Sequence, residues 1–212
     1  VNVNATPDQV GQCIAEIGIG FLFARTLHSA MKHVAPVRQE LKIRTVFNFL
    51  GPLTNPAGAD GQVIGVPDSA LGEKLASVLT LLGTRRAFVV SGTDGLDEIT
   101  VTGATHVAES HHGNVTHYQI APESAGLKRA TQDALLGGDV EVNARILRDV
   151  LSGKTGPHRD IVLINAAAGI LAAEDGPAEW VGAVRKAEES IDSGAALAKL
   201  DALVDYSHRA VN

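Results

Sequence analysis

Two short β-rich runs separated by an amphipathic helical run are the feature that most limits what this 212-residue chain can fold into. The β-rich runs span residues 62–66 and 86–90, and apolar side chains recur along one helical face at residues 69–82. A strand, a helix and a strand within about thirty residues are typical of a parallel βαβ unit. Ligands of parallel sheets bind beyond the carboxyl ends of the strands, so the unit also predicts where a site lies.

Beyond this unit, the sequence predicts one hairpin and several helices. Runs at residues 105–109 and 115–120 flank His111-His112-Gly113-Asn114, a sequence typical of a β-hairpin turn. Helical spacing of apolar residues, interrupted by glycine-containing breaks, predicts the helices that follow. Their expected ranges are 140–151, 160–173, 177–190 and 195–207.

The front of the chain carries a strong helix start. Thr6 is placed as the N-cap, Pro7 as the first helical residue and Gln9 as the partner in a capping box, while Gly18 can end the helix. Two further short helices are expected at residues 27–33 and 35–42. Together the patterns predict an α/β fold: a mainly parallel sheet flanked by helices, with a β-hairpin and a small helical insertion.

The charge and composition of the chain limit which binding partners and which cellular compartment are expected. The 18 basic and 24 acidic side chains give a net charge of −6, which argues against nucleic acid as a partner. The most apolar run, residues 161–173, is shorter than the roughly 20 residues that cross a bilayer, so no membrane partner is expected. Cys13 is the single cysteine, and residues 1–9 lack a signal-peptide pattern, so a cytoplasmic location is expected.

An acidic, glycine-bearing loop follows the second strand of the βαβ unit. Within it, Asp97 and Glu98 are adjacent carboxylates at the place where a parallel sheet binds its ligands. Mg²⁺ prefers oxygen ligands and binds through one or two protein carboxylates, leaving its other positions to water and phosphates. Mg²⁺ binding is therefore one interpretation, and a solvated acidic loop is the other, because an acidic pair alone is a weak motif.

A turn-rich segment and a preceding arginine form a second candidate site. Gly51-Pro52, within residues 44–56, gives a rigid backbone that can wall a pocket for a flat ring, or can serve as a structural turn. Arg38 offers a planar fork suited to a carboxylate ligand, and its alternative is a surface pairing with Glu40 or solvent.

Histidines and glycines elsewhere indicate little chemistry by themselves. His28 can orient a ligand or be a packed structural residue. Four histidines lie on or beside the predicted hairpin, but no cysteine or carboxylate completes a metal-ligand spacing, so no metal is expected there. The sequence has no P-loop and no GxGxxG run, and Gly137-Gly138-Asp139 is better explained as a break before a helix. No phosphate cradle is therefore predicted in this chain.

Five segments together resemble anthranilate phosphoribosyltransferases, enzymes of tryptophan biosynthesis. They are residues 28–38, 51–56, 94–99, 165–167 and 192–196, in the order and spacing of that family. The similarity extends from about residue 17 to the end of the chain. The resemblance implies a glycosyltransferase that joins anthranilate to phosphoribosyl pyrophosphate (PRPP) with Mg²⁺ and releases pyrophosphate, with little demand on acid–base groups.

The resemblance also implies roles for individual residues. Asp97 and Glu98 match the Mg²⁺-binding pair, and Arg38 matches the arginine that meets the anthranilate carboxylate. Residues that match the anthranilate path are His28, Gly51 and Pro52. The implied domains are an α/β domain at residues 1–26 and 56–212 and a remnant of a small helical domain at residues 27–55.

Family members also carry an N-terminal portion that this sequence does not contain. It includes a Gly-Thr-Gly-Gly-Asp phosphate loop, a Lys-His-Gly-Asn-Arg segment and most of the dimerising helices, so the oligomeric state is left open. The sequence also departs from the family at Ser29, where proline is usual, and at Lys42, where glycine is common. The expectation is an incomplete fold, inactive by itself, that carries the metal and anthranilate side of the site and needs that segment or a chain supplying it.

Two other functions stay open at this point. A non-catalytic fragment, or one half of a split enzyme, would explain the missing phosphate loop. A pyrimidine nucleoside phosphorylase-like enzyme shares the architecture, although the motif at residues 51–56 and the Asp97-Glu98 pair favour the anthranilate enzyme.

Overall fold

A computed structural model describes residues 1–24, 51 and 53–209. The chain divides into two compact units, one formed by Val1–Gly58 with Ala196–Asn212 and the other by Ala59–Ala195. The short helices expected at residues 27–33 and 35–42 lie outside the described residues. The division that assigns residues 27–55 to a helical remnant falls mostly there too, and it stays a prediction.

The described helices and strands follow the predicted order. The strands are β1 (Gly61–Gly65), β2 (Arg86–Gly92), β3 (Thr105–His111) and β4 (Asn114–Ile120). The helices are α1 (Pro7–Ile17), α2 (Gly72–Leu81), α3 (Val140–Leu151), α4 (Pro157–Ala173), α5 (Trp180–Asp192) and α6 (Ala195–Ser207). Short 3₁₀ turns occupy Ser69–Leu71, Pro122–Ala125 and Gln132–Leu135. None of the described helices combines the length and the apolar character that a membrane span requires.

Helix α1 begins and ends as its sequence predicts. The Thr6 hydroxyl accepts a hydrogen bond from the Gln9 amide at 3.3 Å, and the Gln9 side chain accepts one from the Thr6 amide at 2.7 Å. Gly18 ends the helix in the left-handed conformation with φ 77°. Cys13 on this helix is 4% exposed and is therefore a core residue.

The second unit contains a mixed four-stranded sheet in the order β1-β2-β3-β4. Strands β1 and β2 are parallel, and the reversed β3 pairs antiparallel with both β2 and β4, so three of the four strands run in one direction. The α/β class, the βαβ unit and the hairpin are confirmed. The hairpin turn has φ 48° at His112 and φ 82° at Gly113, as a type I′ turn requires.

Strand β2 lies in the core of this unit. Helix α2 packs on β2 and β3, and α4 packs on β1 and β2. All seven residues of β2 are therefore buried, and Phe88 has no exposed surface. This covering explains why β2 reads as a continuous apolar run instead of an alternating one.

Candidate metal and substrate site

The loop between β2 and β3 carries two exposed acidic side chains, Asp97 and Glu98, beyond the carboxyl end of β2. The same loop crosses the end of β1. A Cβ atom added to Gly65, the last residue of β1, would fall 1.6 Å from the carbonyl oxygen of Asp97. Because β1 and β2 are parallel, the acidic pair lies at the edge where ligands of parallel strands bind.

Asp94 holds this loop from within. Its carboxylate accepts hydrogen bonds from the hydroxyls of Thr100, at 2.5 Å, and Thr102, and from the Leu96 amide at 3.2 Å. Burial opposes ionisation of Asp94, but these hydrogen bonds outweigh burial and lower the pKa of Asp94 below its ordinary value. Asp94 therefore orders the loop as an anion whose oxygens are already engaged.

Asn165, on α4, clamps the loop from outside. Its Oδ1 accepts from the Ile99 amide at 2.9 Å, and its Nδ2 donates to the Ile99 carbonyl at 2.8 Å. Ile99 is fully buried and directly follows Glu98. Sequence reasoning noted Asn165 in the resemblance but gave it no role; the available signal was a polar amide within an otherwise apolar helical run.

The two loop carboxylates repel each other and are not paired with a cation in the described part of the chain. Among the described residues, neither Asp97 nor Glu98 has an ion-pair partner. Partial desolvation raises the pKa of Glu98, and the negative charges of Asp97 and Asp94 raise it further. A bound cation would relieve this repulsion. Two exposed carboxylates on an ordered loop suit Mg²⁺, which keeps its remaining positions for water and phosphate oxygens.

One of the four residues expected on the anthranilate side is described. Gly51 is helical and partly exposed, and a Cβ added there would meet no other atom within 4 Å. His28, Arg38 and Pro52 lie outside the described residues. Their roles toward anthranilate, like that of Gly51, stay predictions.

The fold and the acidic loop agree with the chain's match to a known family. Residues 1–197 match the glycosyl transferase family, a/b domain, and the chain belongs to that family.

Individual relatives make the resemblance more specific. The anthranilate phosphoribosyltransferase of Rubrobacter xylanophilus is 56% identical over 208 residues, which are 98% of this chain and 60% of the relative. The enzyme of Geobacter sulfurreducens is 55% identical over 210 residues, with coverage of 98% and 59%. The chain thus spans about 60% of the length of these relatives.

Solved structures of the same enzyme share the fold. The anthranilate phosphoribosyltransferase of Thermus thermophilus superposes with a TM-score of 0.90 at 45% identity, covering 99% of this chain and 62% of that one. The enzyme of Saccharomyces cerevisiae in complex with PRPP and Mg has a TM-score of 0.86 at 31% identity, with coverage of 97% and 59%.

Proposed function

We propose that this chain carries the metal and anthranilate side of an anthranilate phosphoribosyltransferase. The reaction transfers the phosphoribosyl group of PRPP to the amine of anthranilate and releases pyrophosphate. The proposal rests on the Asp97-Glu98 pair, which lies at the carboxyl ends of two parallel strands and has no ion-pair partner among the residues that the structure describes. Its support is similarity to relatives of that name, one of them solved with PRPP and Mg.

In this proposal, Asp97 and Glu98 hold Mg²⁺. The ion supplies positive charge that stabilises the oxygens of the departing pyrophosphate. Asp94 and Asn165 hold the two carboxylates in place through the loop, because their polar atoms bond to other loop groups, and the charge of Asp94 also repels that of Glu98. They are therefore positioning residues, which keep the two ligands in place before Mg²⁺ arrives.

The anthranilate side of the proposal rests on the resemblance alone. Arg38 recognises the anthranilate carboxylate through a charge-assisted pair, and His28, Gly51 and Pro52 line the path of the ring. The anthranilate amine is already nucleophilic, so the protein contributes chiefly by holding it against the sugar carbon.

The phosphates of PRPP need backbone N–H donors, and no sequence motif in this chain predicts them. The sequence contains no glycine-rich strand-to-helix turn whose amides could face a pyrophosphate beside Asp94, Asp97 and Glu98. We therefore expect the phosphate cradle to come from a further segment or a second chain. A solution of this chain, Mg²⁺ and PRPP should leave anthranilate fluorescence unchanged, and adding the N-terminal segment of a relative in trans should make it fall. Robust turnover by this chain alone would contradict this placement of the phosphates.

Mg²⁺ titration tests the metal ligands directly. Two protein carboxylates leave Mg²⁺ mostly hydrated, so calorimetry should detect weak binding alone and tighter binding when PRPP and the N-terminal segment are present. Asp97→Asn and Glu98→Gln should abolish the tighter binding. The matched control is Glu189→Gln, which removes one exposed carboxylate from α5 and should leave it unchanged. Equal binding by all three variants would show that the metal lies elsewhere.

A further inference from the structure

Two adjacent imidazoles and one carboxylate meet beside the hairpin turn. His111 ends β3 and His112 opens the turn, with ring centroids 4.1 Å apart and ring planes at 31°. Asp175, between α4 and α5, approaches both, and one ligand atom from each of the three lies within 4.8 Å of the others. Sequence spacing gives the hairpin histidines no carboxylate partner, but the fold brings Asp175 to them from a distant part of the chain.

The backbone fixes where these side chains lie. His111 is paired with Arg86 at the last register position of the β2–β3 ladder. His112 has φ 48° and Gly113 has φ 82°, so the turn holds both residues in the left-handed region. Histidine is one of the side chains enriched in that region, so the turn can hold its ring beside that of His111 at little cost.

Potential metal-ligand atoms of the cluster are not all engaged in hydrogen bonds. Nε2 of His111 is buried and has no hydrogen-bond partner in the described structure. Oδ1 of Asp175 accepts from Nη1 of Arg85 at 2.7 Å. Arg85 also donates to the Ala172 and Glu174 carbonyls, so it can orient the Asp175 carboxylate, whose second oxygen could bind a metal.

The surrounding charges tolerate a cation. They come from Arg85, Arg86, Asp60, Glu109 and Asp175, so three carboxylates face two guanidinium groups.

We propose that His111, His112 and Asp175 form a binding site for a divalent transition-metal ion of the Zn²⁺ type. Two imidazole nitrogens and one carboxylate oxygen suit Zn²⁺, whereas Mg²⁺ prefers oxygen ligands throughout. His111 and Asp175 also line an open cavity of about 510 Å³, which leaves room for a water ligand and for entry of the ion. The bound ion ties the hairpin turn to the connection between α4 and α5.

Zn²⁺ added to the metal-free chain tests the site. We expect one Zn²⁺ ion to bind per chain at this site and to raise the melting temperature of the chain. In NMR spectra, the ring nitrogen signals of His111 and His112 should shift. Co²⁺ in place of Zn²⁺ should give visible absorption bands that Zn²⁺ displaces. His112→Asn retains a residue suited to the left-handed turn, and Asp175→Asn retains the side-chain shape; each should weaken this binding by about tenfold or more.

His117→Asn is the matched control. His117 is an exposed histidine on β4 of the same hairpin, outside the cluster, so its loss should leave the affinity for Zn²⁺ unchanged. Glu98→Gln should do the same, because Glu98 belongs to the acidic loop. If the ring signals of His111 and His112 do not shift when Zn²⁺ is added to the unmodified chain, the proposal is overturned. This test holds even if a variant fails to fold. An affinity unchanged in both His112→Asn and Asp175→Asn would overturn it too.

Discussion

Replacing Asn165 by alanine tests whether the acidic loop depends on its clamp to α4. The substitution keeps a good helix former on α4 and removes both hydrogen bonds to the Ile99 peptide, at 2.9 Å and 2.8 Å. Ile99 is fully buried, so water cannot readily replace the lost partners. Each buried backbone group left unpaired costs about 1–3 kcal/mol. Since two groups are affected and some relaxation is possible, we expect a loss of about 2–4 kcal/mol in the free energy of unfolding.

Asn143 on α3 provides an unusually close control. Its side chain makes the same pair of hydrogen bonds to the peptide groups of Gly138, at 2.9 Å and 3.0 Å, but on the exposed surface. Water can replace both partners there, so Asn143→Ala should cost no more than about 1 kcal/mol. Urea unfolding followed by far-ultraviolet circular dichroism measures both variants. Equal losses in the two variants, or an Asn165→Ala loss below about 0.5 kcal/mol, would refute this reasoning.

Three further predictions concern the acidic loop and the role proposed for Arg38. Gly65→Ala should displace the loop, because its Cβ would collide with the Asp97 carbonyl, and should therefore weaken Mg²⁺ binding measured by calorimetry. Gly169→Ala is the control: its Cβ would meet no atom within 4 Å, so Mg²⁺ binding should be unchanged. With the N-terminal segment of a relative supplied in trans, Arg38→Ala should raise the KM for anthranilate by about one to two decades and the KM for PRPP far less, because the charge-assisted pair proposed for Arg38 would be worth about 1.5–3 kcal/mol. Equal changes in both would contradict the proposed role. The pKa of Glu98 lies above its ordinary value of 4.5, and a protonated carboxyl group binds Mg²⁺ poorly, so affinity should already decline as the pH falls toward that raised pKa. Titrations at several pH values check this, and an affinity that does not decline as the pH falls would contradict it.

The sequence predicted the ends of a helix or strand well where contacts between residues near in sequence determine them. Helix α1 depends on contacts within its own first turn, and its start and end agree with the sequence. Helix α5 was expected from residue 177 but begins at Trp180. Arg86 donates to the carbonyls of Glu174 and Gly176 at 3.0 Å and 2.8 Å, and Trp180 packs edge-on against Phe88. These contacts hold the preceding segment out of the helix, and local sequence cannot reveal them.

The site shows the same limit. The position of Asp97 and Glu98 after a buried strand could be predicted from the sequence, because strand order and loop position are local properties. The supports at Gly65 and Asn165 were not, since each depends on how distant segments meet. The same holds for Asp175, which joins two hairpin histidines that spacing alone had set aside.

Strand β2 separates the two metal sites considered for this unit. Its first residue, Arg86, is paired with His111, while the acidic loop follows its last residue, Gly92. Seven residues of extended chain span about 20 Å, which is twice the distance over which salt at about 0.1 M screens exposed charges. The ligand sets also differ in kind, with imidazole nitrogens at one end and carboxylate oxygens alone at the other. A transition metal at the hairpin and Mg²⁺ at the loop should therefore bind without competing, so a variant at one end leaves the other end's titration interpretable.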